Sequence, residues 1–144
     1  MRRISRRSTS RDAPVYEART RDVLVRVVAS YLPEQSEPEE RQYFWAYTVE
    51  IENHSKDTVQ LVSRHWIITD AMNRVQEVSG PGVVGEQPEL KPSEAFRYTS
   101  GCPLSTPSGA MRGSYHMVTD KGDSFDVEVP EFSLHLPGAG RVVN

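Results

Sequence analysis

Residues Gly80-Pro81-Gly82-Val83-Val84-Gly85 carry the spacing G-x-G-x-x-G. In a dinucleotide-binding fold this spacing ends a strand and opens a helix whose N-terminus receives a pyrophosphate. The surroundings do not supply that helix. Pro88 and Pro92 follow closely, and proline removes a backbone donor and clashes with the preceding helical turn. Nor does an acid stand about 20 residues on to meet a ribose; that region reads Leu104-Ser105-Thr106. A milder chemistry survives. Successive N–H groups of a glycine loop can form an anion-binding nest, with Arg74, Lys91 or Arg97 as the charge. Gly80, Gly82 and Gly85 are therefore candidate phosphate-binding positions, for pyrophosphate or a dinucleoside polyphosphate. The simpler reading is a wide turn in which glycine serves the backbone alone.

Other reactive residues are scattered. His54, His65, His116 and His135 stand apart from one another and from Cys102, without the close ligand spacing of a zinc site. His65 and His116 fall on different strands and read as surface or structural histidines. Glu37, Glu39 and Glu40 share a proline-flanked loop that reads as solvated, whereas hard cations want converging carboxylates. Cys102 has no adjacent base to make it a nucleophile, and Ser100, Ser105 and Ser108 lack a G-x-S-x-G elbow. The expectation is a protein without a catalytic site, a resident metal or a cofactor.

The elements that would position these residues are strands. Val23, Val25, Val27, Ala29 and Tyr31 alternate with Leu24, Arg26, Val28 and Ser30, a period of two. Tyr43, Trp45, Tyr47, Val49 and Ile51 share a face of a second strand. Val59 to Thr69 has apolar residues on both faces and reads as a central strand. Further strands are expected at Val75–Val78, Ala95–Ser100, Met111–Met117, Phe125–Val129 and Phe132–Leu136, with Pro130 breaking the last two apart. Asp70-Ala71-Met72-Asn73 reads as a turn with Asn73 at positive φ, and Asp120-Lys121-Gly122-Asp123 as a hairpin. About eight short antiparallel strands with frequent turn signals, and no amphipathic helix, indicate an all-β sandwich. At the start of the second strand, Phe44 points opposite to Tyr43 and Trp45. Apolar groups on both faces make Tyr43, Phe44 and Trp45 candidate interface residues at a strand edge.

Five of the 17 basic residues, Arg2, Arg3, Arg6, Arg7 and Arg11, stand in the first eleven positions, which hold no acid. Residues 1–15 read as a flexible basic tail, 16–137 as the folded domain and 138–144 as a flexible C-terminal tail. The domain is thus more acidic than the net charge of −3 suggests, which disfavours nucleic acid as a partner. No apolar run is long enough to span a bilayer. The arginines lack the apolar stretch of a secretory signal, and a lone cysteine suits a reducing, cytoplasmic compartment.

Several segments resemble the ApaG family in order and spacing: Arg64-His65-Trp66-Ile67-Ile68-Thr69-Asp70, Glu77 through Pro88, Tyr98-Thr99-Ser100-Gly101-Cys102-Pro103-Leu104, Met111-Arg112-Gly113-Ser114-Tyr115 and Val129-Pro130-Glu131-Phe132. The resemblance covers roughly residues 16–137. It implies an immunoglobulin-like or fibronectin type III-like β-sandwich in a cytoplasmic bacterial protein, with a historical association to cobalt and magnesium efflux that rests on phenotype. It also implies a protein-binding module, because related domains are attached to larger eukaryotic proteins. The expected role is a non-enzymatic interaction module with a protein partner or self-association. The alternative is a phosphate or nucleotide sensor acting through Gly80–Gly85.

Overall fold

The computed structural model describes residues 13–137; the expected tails lie almost wholly outside them. Nine strands follow in chain order: β1 (Tyr16–Thr20), β2 (Val23–Tyr31), β3 (Tyr43–Asn53), β4 (Val59–Asp70), β5 (Val75–Pro81), β6 (Glu89–Leu90), β7 (Ala95–Leu104), β8 (Gly109–Thr119) and β9 (Ser124–Leu134). One sheet has the order β1-β2-β3-β7, the other β5-β4-β8-β9 with β6 paired to β4, and every pairing is antiparallel. The chain crosses between the sheets after β3, before β7 and again before β8. The result is the sandwich expected from the alternation.

The core lies where the expected inward faces meet. Val23, Val25 and Val27 of β2 face Trp45, Tyr47, Val49 and Ile51 of β3, and Met111, Tyr115 and Met117 of β8 lie beneath them, all buried. Asn53, fully buried, ends β3 with its polar atoms satisfied. Its Nδ2 donates to the carbonyls of Asp57 (2.8 Å) and Leu90 (2.9 Å), and its Oδ1 accepts from Ser55 N (3.0 Å) and Oγ (2.7 Å). The polar turn thus ties β3 to β6. Asn73 (φ 63°) and Gly122 (φ 93°) hold the positive φ expected of them. The acidic segment forms two short 3-10 turns, Pro33–Gln35 and Pro38–Glu40, each opened by its proline.

Three expectations about the strands are corrected. β1 and the two-residue β6 were not expected, being too short to show a period. Pro130 does not break β9. It sits at a bulge, where Arg112 of β8 faces both Pro130 and Glu131, so the buried set moves from Val127 and Val129 to Phe132 and Leu134. A bulge on an edge strand is a position where proline's missing donor costs little. The third correction concerns β4. Strict alternation would place Leu61 on the face of His65, but the register shifts between Leu61 and Ser63. Beyond that irregularity Arg64, Trp66 and Ile68 turn toward the inter-sheet space, and His65 turns outward.

Candidate functional site

The bulge in β4 brings a guanidinium to the mouth of the sandwich. Along the side where β5 and β7 run, the two sheets part and leave a cleft of about 400 Å³. Trp66, Ile68, Val78, Val83 and Met111 form its apolar floor and flank. Tyr47, Tyr98, Ser100 and Cys102 line the β3–β7 wall, and Arg64, Val84 and Gly85 stand at the lip. The volume falls within the range of small-molecule sites. Among the described residues no aspartate or glutamate lines it.

Each glycine of the G-x-G-x-x-G segment has a separate geometric reason. A Cβ at Gly80 would lie 3.1 Å from Arg64 Nη1 and Nη2, so its absence makes room for the guanidinium. Gly82 has φ 60°, and a Cβ there would fall 2.2 Å from the Glu86 carbonyl oxygen. Gly85, at φ 80°, has open space around it. Val83 and Glu86 exchange both backbone bonds at 2.8 Å around Val84 and Gly85, a two-residue turn with positive φ at both central residues. Val84 occupies the first of these at φ 43°, a strained setting for a β-branched side chain. It is 52% exposed, whereas Val83 is buried as the loop's anchor.

The hydrogen bonds show which loop donors are taken. Gly82 N–H donates to Val62 O (2.8 Å) and Val83 N–H to Glu86 O. Arg64 Nη1 donates to the carbonyls of Pro81 (2.9 Å) and Gly82 (3.0 Å). Of the charges expected near the loop, Arg74 pairs instead with Asp70 in the β4–β5 turn. Arg64, which reasoning from alternation alone did not single out, is the cation that lines the cleft.

Two phenols, Tyr47 and Tyr98, line the deep wall, and a third, Tyr115, lies buried behind Tyr98. The Tyr98 and Tyr115 hydroxyls meet at 2.5 Å, with the two residues 6% and 0% exposed. Burial holds both hydroxyls and that of Tyr47 above the usual phenol range, and the Arg64 charge pulls each the other way. Burial also pushes the Cys102 thiol up to about 11. Its Sγ lies 3.8 Å from the Pro103 carbonyl oxygen, an arrangement that keeps the proton on sulfur.

The family model described as the ApaG domain matches residues 33–119. The chain belongs to the ApaG family. Protein ApaG of Caulobacter vibrioides is 66% identical over 139 residues, 96% of this chain and 99% of that protein. Protein ApaG of Beijerinckia indica is 58% identical over 90% of this chain and 100% of its own length. A crystal structure described as an ApaA protein from Bordetella pertussis superposes with a TM-score of 0.79 at 55% identity, covering 83% of this chain and 97% of that one.

In this ApaG-family chain the three expected interface residues part company. β3 lies between β2 and β7, so it is not an edge. Trp45 is 1% exposed and its indole Nε1 donates to His135 O at 2.9 Å, so it belongs to the core. Phe44 lies on the outer face over Gly101, where a Cβ would come 2.6 Å from its ring; Tyr43 is half-buried against the core. The edge strands are β1 and β7 in one sheet and β5 and β9 in the other. On the outer face of the second sheet His65 and His116 are diagonal neighbours, but each takes its own acid, Glu77 (2.8 Å) and Asp126 (2.9 Å). Among the described residues no three His, Cys, Asp or Glu gather as a metal site, and no helix is long and apolar enough to cross a membrane.

Proposed function

We propose that the chain is a non-enzymatic interaction module whose binding surface is the open β5–β7 side, and that its first partner is a second copy of itself. The observation that carries this reading is the β5 edge. Met72, Val75 and Val84, in or flanking β5, are exposed by 67, 61 and 52%, and the edge lacks the lysines that usually protect one. Antiparallel β5–β5 pairing across a two-fold axis would extend the sheet and cover those side chains. The efflux association implied by the family resemblance is then indirect, acting through a partner in the cytoplasm.

Light scattering on the purified full chain tests the reading. A dimer is expected, and Val75→Lys combined with Val84→Lys should return it to monomer without lowering the melting temperature. A strict monomer that also captures no partner would sink the proposal. A second reading, recognition of phosphate or a nucleotide, is favoured by one observation: among the described residues no hydrogen bond engages the N–H of Val84 or Gly85, and Arg64 lies behind them. Saturable heat on titrating pyrophosphate, lost in Arg64→Gln, would move that reading ahead.

A further inference from the structure

Asn53 shows how this fold treats a buried polar group, with each donor and acceptor met. The Tyr98–Tyr115 pair departs from that rule. Two hydroxyls carry two protons, and their single 2.5 Å bond uses one of them. Among the described residues no second acceptor meets either hydroxyl. A buried O–H without an acceptor is costly, so the free proton belongs on whichever oxygen can reach a partner. Tyr115 is sealed in the core, whereas Tyr98 lines the cleft. Tyr115 therefore donates to Tyr98, and the Tyr98 proton faces the cleft.

Arg64 stands at the same cleft with a similar surplus. Nη1 is spent on two loop carbonyls. Among the described residues Nη2 and Nε meet no acceptor, and Arg64 pairs with no carboxylate. The cleft thus joins a guanidinium and a free hydroxyl donor to an apolar floor of Trp66, Val78 and Met111, with no acid among the described residues that line it. We propose that the cleft binds a small carboxylate with an apolar body, the carboxylate taken by Arg64 and Tyr98 and the body lying on Trp66 and Met111. A planar carboxylate matches the guanidinium fork and can also accept from a phenol. The inference rests on the reading of the open side as the binding surface and names a ligand for it.

The probe is 3-phenylpropionate, with 3-phenylpropanol as its uncharged counterpart, titrated into the isotope-labelled full chain and followed by amide NMR shifts. Saturable shifts centred on Val84, Gly85, Ser100 and Gly101 are expected, with a Kd of about 1 mM or tighter and the alcohol at least about tenfold weaker. Arg64→Gln should erase the preference for the acid. Tyr98→Phe should weaken the acid several-fold and the alcohol less, because the phenol's bond to a carboxylate is charge-assisted. Ser100→Phe, which fills the cleft without touching the loop bonds, should abolish both, and its melting temperature reports that it is folded. The proposal is overturned by no shifts at about 10 mM probe, by equal binding of the alcohol, or by inorganic phosphate displacing the probe at equal affinity. A chain that dimerises but ignores the probe removes this inference alone. A monomer that binds the probe removes only the self-association reading.

Discussion

The two long sides of the sandwich are finished differently. Along the β1–β9 side the sheets come together. Phe132 packs against Tyr16 (6.2 Å between ring centroids), Tyr47 (5.7 Å) and Trp66 (6.1 Å). Glu128 N–H donates to Thr20 Oγ1 at 3.1 Å, and the Arg21 guanidinium lies 4.3 Å from the centre of the Phe125 ring. Along the β5–β7 side the crossing bonds gather at the β4–β5 turn, where Arg74 Nη2 donates to Ser105 Oγ (3.2 Å) and Ala71 N–H to Thr106 Oγ1 (3.1 Å). The sheets part, exposed valines flank the gap, a strained Val84 stands at its lip and a phenol proton is left without an acceptor. One side spends its side chains on closure and the other leaves them available, which is the division expected of a scaffold carrying a binding surface.

The comparison can be broken first at the seam. Phe132→Ala removes the ring that three aromatic neighbours share and should cost about 3–5 kcal/mol, read from denaturant unfolding; a loss under about 1 kcal/mol would mean that the seam is not what holds the sheets together. On the open side the glycines should split. Gly82→Ala faces both a left-handed backbone and a carbonyl collision and should cost about 3 kcal/mol, whereas Gly85→Ala, with open space around it, should cost about 1 kcal/mol. Equal losses in thermal melts would show that backbone angle alone governs the loop.

The cleft wall predicts an alkaline weakness. The Cys102 thiol, pushed up to about 11 in the folded chain, titrates near about 8.5 once unfolded. Above that lower value the unfolded chain sheds a proton that the folded chain keeps, so stability is whole below pH about 8.5 and falls as pH rises toward 11. Urea midpoints measured across that window should decline, and Cys102→Ala should flatten part of the decline; an unchanged slope would show that the thiol is not held by burial. The smallest effect is a gain. Val84→Asn replaces a β-branched residue at positive φ with one suited to it and should stabilise the chain by about 1 kcal/mol while weakening self-association. Tighter association in that variant would place the interface elsewhere.

Much of this was legible in the chain. Alternation in Tyr43–Ile51 and Val23–Tyr31 gave their buried faces, because side-chain direction along a strand depends on the strand's own backbone. Asn73 and Gly122 were legible for the same reason, since a turn's φ is a local demand. The short β1 was not, because five residues carry too little pattern to separate a strand from a tail.

The candidate site was only half legible. The glycine segment could be seen, but its purpose could not, because what Gly80 and Gly82 avoid are atoms of Arg64 and Glu86. Arg64 itself was hidden by the β4 bulge, which reverses the alternation, and Trp45 was misjudged because no local feature says whether β3 is an edge or lies between neighbours. The sequence by itself determined that the chain makes strands, where they turn and which faces are apolar, since each is set within a few residues. Only the tertiary structure decided which side closes, where the sheets part and that Arg64 and Tyr98 line one cleft there, with Tyr115 behind Tyr98. Those contacts join strands far apart in the chain, and their geometry depends on how two twisted sheets stack.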